Sequence, residues 1–163
     1  MVRPPQPSLT SYPLSAHDFD FPFHPMKLVL TGPLQSGKST RLRALMASAG
    51  WDAPAGFRTW WDGDRRHGGK LMLAPWDNSW TFVAGGRAHL DAPGLASAAL
   101  RALVNVPSTA PLVIDELGLL EASSAPLHHR VLELWSSAAE GILIVQSRAL
   151  SSWPELGPVS PWP

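Results

Sequence analysis

The sequence predicts an α/β domain: a mainly parallel sheet covered by helices, with a β-hairpin insertion. Three observations carry this. Short apolar runs of buried-strand type recur at residues 27–31, 111–114 and 141–145. Stretches with helical spacing of leucine and alanine separate them, the pattern of strands joined by crossover helices. The first run also ends directly in a glycine-rich loop that opens a helix.

Taken in order, Lys27-Leu28-Val29-Leu30-Thr31 reads as a buried strand. Residues 38–49 carry Leu42, Leu45 and Met46 on one helical face, and Gly50 stands where a left-handed cap ends such a helix. Residues 56–61 and 70–73 flank the turn-rich Asp62-Gly63-Asp64-Arg65-Arg66-His67-Gly68-Gly69, and residues 79–83 follow a second turn around Asp77-Asn78. These runs suggest an antiparallel hairpin or meander. Residues 94–103 are rich in alanine and leucine and read as helix. The second parallel strand, residues 111–114, ends in Asp115-Glu116. Ser124 and Pro126 mark the start of a helix over residues 125–139, with Leu127, Val131, Leu134 and Trp135 as its inward stripe. The third strand ends at Gln146-Ser147-Arg148.

The chain has 163 residues, enough for one compact domain, expected over residues 26–150. Residues 1–25 hold six prolines and the alternating Phe19, Phe21 and Phe23; they read as an extended or loosely packed tail. Residues 151–163, with Trp153-Pro154 and Pro161-Trp162-Pro163, read the same way. Aromatics in such tails either pack against the domain or bind a protein partner. The 13 basic and 13 acidic side chains cancel, so no overall field favours a polyanion, and nucleic acid has no strong support. Without cysteine, disulfides, thiolate metal sites and thiol catalysis are excluded. No apolar run approaches the roughly 20 residues of a membrane span, and residues 1–25 show no signal peptide. A cytoplasmic protein without a membrane partner is the expectation.

The chemistry concentrates at Gly32-Pro33-Leu34-Gln35-Ser36-Gly37-Lys38-Ser39, a full match to the phosphate-loop pattern G-x-x-x-x-G-K-[ST], with Thr40 following. Glycines let successive amide N–H groups turn inward onto phosphate oxygens, and the helix aims its positive end at the same anion. Lys38 is expected on the outer phosphates of a nucleoside triphosphate, ATP or GTP, and the Ser39 hydroxyl on a magnesium ion (Mg2+). Asp115-Glu116, at the carboxyl end of a neighbouring buried strand, supplies the second half: Asp115 as a magnesium ligand and Glu116 as the base for an attacking water. Gln146 or Ser147 could touch the γ-phosphate or that water, or simply begin a polar loop. Arg58, Arg65, Arg66 and Arg148 are candidate sources of positive charge, though each also reads as a surface arginine. His128-His129 reads as a solvated helix face, and Trp60 or Trp61 as core or as a platform for a base.

Three blocks in order resemble the cancer-related nucleoside-triphosphatase family, small P-loop enzymes that hydrolyse ribonucleoside triphosphates. They are the loop at residues 32–40, Ala55-Gly56-Phe57-Arg58-Thr59 with the Gly68-Gly69 hairpin and the strand from Leu71, and Leu112-Val113-Ile114-Asp115-Glu116-Leu117-Gly118-Leu119-Leu120-Glu121. The resemblance implies a RecA-like P-loop NTPase sheet, Asp115 for magnesium, Glu116 as base, and Glu121 as a supporting acid. The family's lysine in the third block is Leu119 here. The resemblance also implies a further helix and strand after Val145, where this chain runs into proline and tryptophan, so the sheet is expected to lack its last strand. The reading is magnesium-dependent hydrolysis of ATP or GTP; a small-molecule kinase and a nucleotide-dependent switch with slow hydrolysis are the rivals.

Overall fold

The computed structural model describes residues 26–32 and 38–161. Loop residues Pro33, Leu34, Gln35, Ser36 and Gly37, the tail carrying Phe19, Phe21 and Phe23, and Trp162 lie outside the described residues. One seven-stranded sheet organises the rest: β1 (Lys27–Gly32), β2 (Ala55–Asp62), β3 (Lys70–Pro75), β4 (Phe82–Gly86), β5 (Leu112–Leu117), β6 (Gly141–Gln146) and β7 (Ser160–Pro161). Across the sheet the order is β4-β3-β2-β5-β6-β1-β7. The β2–β3 and β3–β4 pairs are antiparallel and the others parallel. The sheet is therefore a parallel core with an antiparallel meander on one side.

The helices are α1 (Lys38–Ser48), α2 (Ala92–Ala102), α3 (Leu119–Ser123) and α4 (Ala125–Ser137). They divide the core into two layers. Leu42 and Met46 of α1 meet Leu30, Val113, Ile142 and Ile144 on one face. On the other, Leu95 and Ala99 of α2 and Leu127, Val131, Leu134 and Trp135 of α4 cover Val29, Phe57, Leu73, Ile114 and Leu143. β5 and β6 lie between both layers, which is why residues 112–114 and 141–145 are unbroken apolar runs. The inward stripe expected for α4 is the one observed. Asp91 begins α2 by accepting the Gly94 N–H at 2.8 Å, and Pro93 occupies the first turn, where its missing N–H costs nothing.

Two expectations change. The Asp115 strand does not neighbour β1, because β6 runs between β1 and β5. The last strand is not absent but short: after 3-10 helical turns at Ser147–Ser152 and Pro154–Leu156, the chain lays β7 parallel to β1, pairing Leu30 with Ser160 and Thr31 with Pro161. Trp153 and Leu156 anchor this return in the larger core. The Trp135 indole N–H donates to the Leu156 carbonyl at 3.1 Å. No helix among the described residues is long and apolar enough to cross a membrane.

The β2–β5 pairing needs a glycine. Gly56 has φ +111°, and a Cβ there would collide with the Val113 carbonyl oxygen on β5. Gly56→Ala is expected to destabilise the chain by about 3 kcal/mol or more, since both the backbone angle and the interstrand gap oppose it. Urea unfolding checks this, and an unchanged midpoint would contradict the close pairing.

Candidate functional site

Gly32, Gln146 and the end of β5 form a row at the carboxyl edge of the parallel strands, and α1 starts beside it. Gly32 pairs with Gln146 across β1 and β6, and Thr31 fixes the neighbouring turn. The Thr31 hydroxyl donates to the Val145 carbonyl at 2.9 Å and lies 3.2 Å from the Ser147 hydroxyl, which itself donates to the Gly32 carbonyl at 3.3 Å. Lys38, the first residue of α1, is only 7% exposed and directs its Nζ to the Gly32 carbonyl at 3.2 Å. Its ammonium thus spans the two ends of the loop at residues 33–37. Ser39 and Thr40 follow in the first turn of α1.

The end of β5 is shaped by a bulge. Ile114 pairs with Leu143, but Leu117, three residues on, pairs with Val145, only two residues on. One extra residue is inserted at Asp115-Glu116. Strict alternation would return residue 116 to the face of Ile114; instead Leu117 joins the core and Glu116 is released from the ladder. The release shows in the backbone, for Glu116 has φ +81°, a left-handed angle that is costly for a side chain with a Cβ. Bulge and strain coincide at the residue assigned as base.

Asp115, one residue earlier, is 5% exposed. Burial pushes its carboxyl from the ordinary 3.8 to about 6; the Ser39 hydroxyl, which hydrogen-bonds it, opposes this, Glu116 adds to it, and Arg43 and Lys38 oppose it. The structure therefore brings Lys38, Ser39 and Asp115 together, with Glu116 next along the chain. Thr59, of the Gly56-Phe57-Arg58-Thr59 block, donates its hydroxyl to the Asp115 carbonyl at 3.3 Å and ties β2 to the bulge. Sequence reasoning assigned Thr59 nothing, and only its place in that block marks it.

Glu121 closes the loop beyond the bulge. Its Oε2 accepts the Gly118 N–H at 2.8 Å, inside the fold, and burial raises its carboxyl above the usual range. The Trp153 indole N–H reaches the Gly118 carbonyl at 3.4 Å. Leu119, at the position of the family's lysine, is 45% exposed at the start of α3. The segment after Glu116 is thus held by a buried acid and an indole from the C-terminal return.

Other candidates are engaged elsewhere. The Arg58 guanidinium lies 4.5 Å above the Trp60 ring and donates to Asn78 Oδ1 at 2.8 Å; Arg65 lies 5.2 Å from the Trp61 ring. The two tryptophans accordingly carry arginines. Arg66 is exposed on the β2–β3 turn, where its backbone N–H donates to Asp64 Oδ1 at 2.7 Å. His129 is exposed, but His128 is not a solvated residue: it stacks on Trp153 at 4.5 Å and its Nε2 sits 3.0 Å from the Ser152 carbonyl. The helical-wheel reading missed this because the ring's partner comes from the C-terminal return. Among the described residues, no three histidine or acidic side chains gather to hold a metal.

No family model matches the sequence, and no curated protein is significantly similar to it. Among solved structures the chain is similar to THEP1 from the hyperthermophile Aquifex aeolicus, with a TM-score of 0.57 and 16% sequence identity, covering 80% of this chain and 83% of that chain. At that identity the likeness concerns architecture: the chain has the fold of the P-loop NTPases.

Proposed function

We propose that the chain is a magnesium-dependent nucleoside triphosphatase akin to the cancer-related family, cleaving ATP or GTP to diphosphate and phosphate. The observation that carries this reading is the meeting of the loop helix with the β5 bulge: Ser39 on the Asp115 carboxylate, Lys38 buried beside them, and Glu116 turned out of the ladder. Amides of residues 32–40 cradle the phosphates, and Lys38 exchanges the Gly32 carbonyl for the outer phosphate oxygens. Glu116 takes a proton from water as the water oxygen bonds to the γ-phosphorus and the bond to the bridging oxygen breaks, leaving diphosphate.

Ser39 and Asp115 suit a magnesium ion. Both offer oxygen, the preference of this hard cation, and they already touch. Burial also makes the bare Asp115 carboxylate costly, so a cation there would offset an existing penalty. Two protein oxygens are enough, since magnesium in such sites takes its other ligands from phosphate and water. When bound, the ion would neutralise charge on the phosphates.

Calorimetry with ATP and GTP, with and without magnesium, tests the reading on the wild-type chain and on Lys38→Ala. The wild type is expected to bind both triphosphates. Lys38→Ala is expected to weaken binding by about tenfold to a hundredfold, the loss of a charge-assisted hydrogen bond. Equal affinities would remove Lys38 from the phosphate site.

A further inference from the structure

The C-terminal return touches both halves of the site. It starts at Ser147, whose hydroxyl donates to the Gly32 carbonyl, and it ends in β7 beside Leu30 and Thr31 of the loop strand. Between these ends the Trp153 indole N–H donates to the Gly118 carbonyl at 3.4 Å, two residues after Glu116. Trp153 is itself held. Its ring stacks on His128 of α4 at 4.5 Å, and its backbone N–H donates to the Leu150 carbonyl at 3.1 Å. His128 Nε2 lies 3.0 Å from the Ser152 carbonyl, which can only accept, so this nitrogen carries the proton.

The turn at Glu116 needs such a hold. A left-handed φ of +81° persists in a residue with a Cβ only where the surroundings fix the chain on both sides. Upstream, the Asp115 carbonyl accepts the Thr59 hydroxyl from β2. Downstream, Leu117 is buried and pairs with Val145. Gly118 comes next: its N–H goes to the Glu121 carboxylate and its carbonyl to Trp153. The Glu121 contact spans 3 residues and would travel with the loop. The Trp153 contact spans 35 residues and ties the loop to α4 and the C-terminal return. The local contact shapes the loop, and the distant one places it.

We propose that Trp153 is the positioning residue for Glu116: through Gly118, the C-terminal return holds the left-handed turn that frees this acid from the ladder. The consequence for hydrolysis rests on the triphosphatase reading above; the hold on the turn does not. Because the same return lies against Gly32, Leu30 and Thr31, it fixes the acidic turn relative to the strand that leads into the phosphate loop.

Trp153→Phe keeps a ring against His128 and removes the N–H. It is expected to lower kcat about threefold to tenfold, the worth of one hydrogen bond, with KM and the calorimetric affinity for a non-hydrolysable ATP analogue near wild type. In the Glu116→Gln background it should lower kcat no further, the signature of action through Glu116. Wild-type kcat in Trp153→Phe, or the same loss in both backgrounds, overturns the proposal. Melting temperatures test the turn without any reaction. Glu116→Gly should melt above Glu116→Gln by a margin that shrinks by about half or more when Trp153→Phe is added, because a released turn has less strain to relieve. A margin that is equal in both backgrounds, or absent, overturns the hold on the turn. If the wild type releases no phosphate, the triphosphatase reading fails and this margin alone decides on Trp153. Should Trp153→Phe fail to fold, His128→Leu, at a half-buried ring, takes its place with smaller effects in the same directions.

Discussion

Asp115→Asn is expected to make the nucleotide-free protein more stable while abolishing most of the proposed magnesium-dependent activity. Burial holds the Asp115 carboxyl near 6, above its ordinary 3.8. A raised acid binds its proton more tightly in the folded chain than in the unfolded one. The linked stability is fully present below about pH 4 and is lost as pH rises through about 6. A rise of that size corresponds to about 3 kcal/mol lost at neutral and alkaline pH. Asparagine carries no charge to desolvate and still offers Ser39 an acceptor. At roughly 2–4 °C per kcal/mol for a chain of this size, the variant should melt about 5 °C or more above wild type near pH 8. The difference should vanish near pH 4. Melting at or below the wild-type temperature near pH 8 would show that Asp115 is not under this strain. The activity side follows from the proposed magnesium contact, because a neutral amide is a poor substitute for a carboxylate ligand.

The second large effect is at Glu116. Glu116→Gln should slow phosphate release by about a hundredfold to ten-thousandfold, the range for removing a positioned general base. Triphosphate affinity should stay near wild type, because the role proposed for Glu116 is on water rather than on the phosphates. Glu116→Gly separates chemistry from backbone. It should lose as much activity, yet melt higher than Glu116→Gln, because φ +81° suits glycine and strains glutamine. The relief should be about 1 kcal/mol. A glycine variant no more stable than the glutamine variant would show that the backbone angle stores no strain.

The contrast between these two acids also shows what the sequence could disclose. Asp115-Glu116 was legible because residues 112–114 are a buried apolar run, so the first polar residues after it stand out near the carboxyl end of the strand. The bulge was not legible, since it depends on pairing with β6 and leaves no mark on the spacing. For the same reason the place of β6 between β1 and β5 escaped the reading, which followed chain order rather than long-range register. Helices α1 and α4 announced themselves by apolar period, whereas α3, with five residues, is too short to show one. The C-terminal segment hides its function in composition. Proline and tryptophan there suggested a tail whose aromatics pack against the domain; Trp153 does so, 2% exposed, stacking on His128 and reaching the segment after Glu116. Its partners lie 25 residues or more away in the sequence, where no local pattern records them.

The central claim is that the meeting of the phosphate loop with Asp115-Glu116 makes water the acceptor of the γ-phosphoryl group. Incubating the wild-type chain with ATP and magnesium in water labelled with heavy oxygen, then weighing the released phosphate by mass spectrometry, tests it most directly. Hydrolysis predicts inorganic phosphate carrying one heavy oxygen atom, formed at a rate that Glu116→Gln cuts by at least about a hundredfold. Release of unlabelled phosphate, appearance of the γ-phosphoryl group on another acceptor, or an undiminished rate in Glu116→Gln would contradict it.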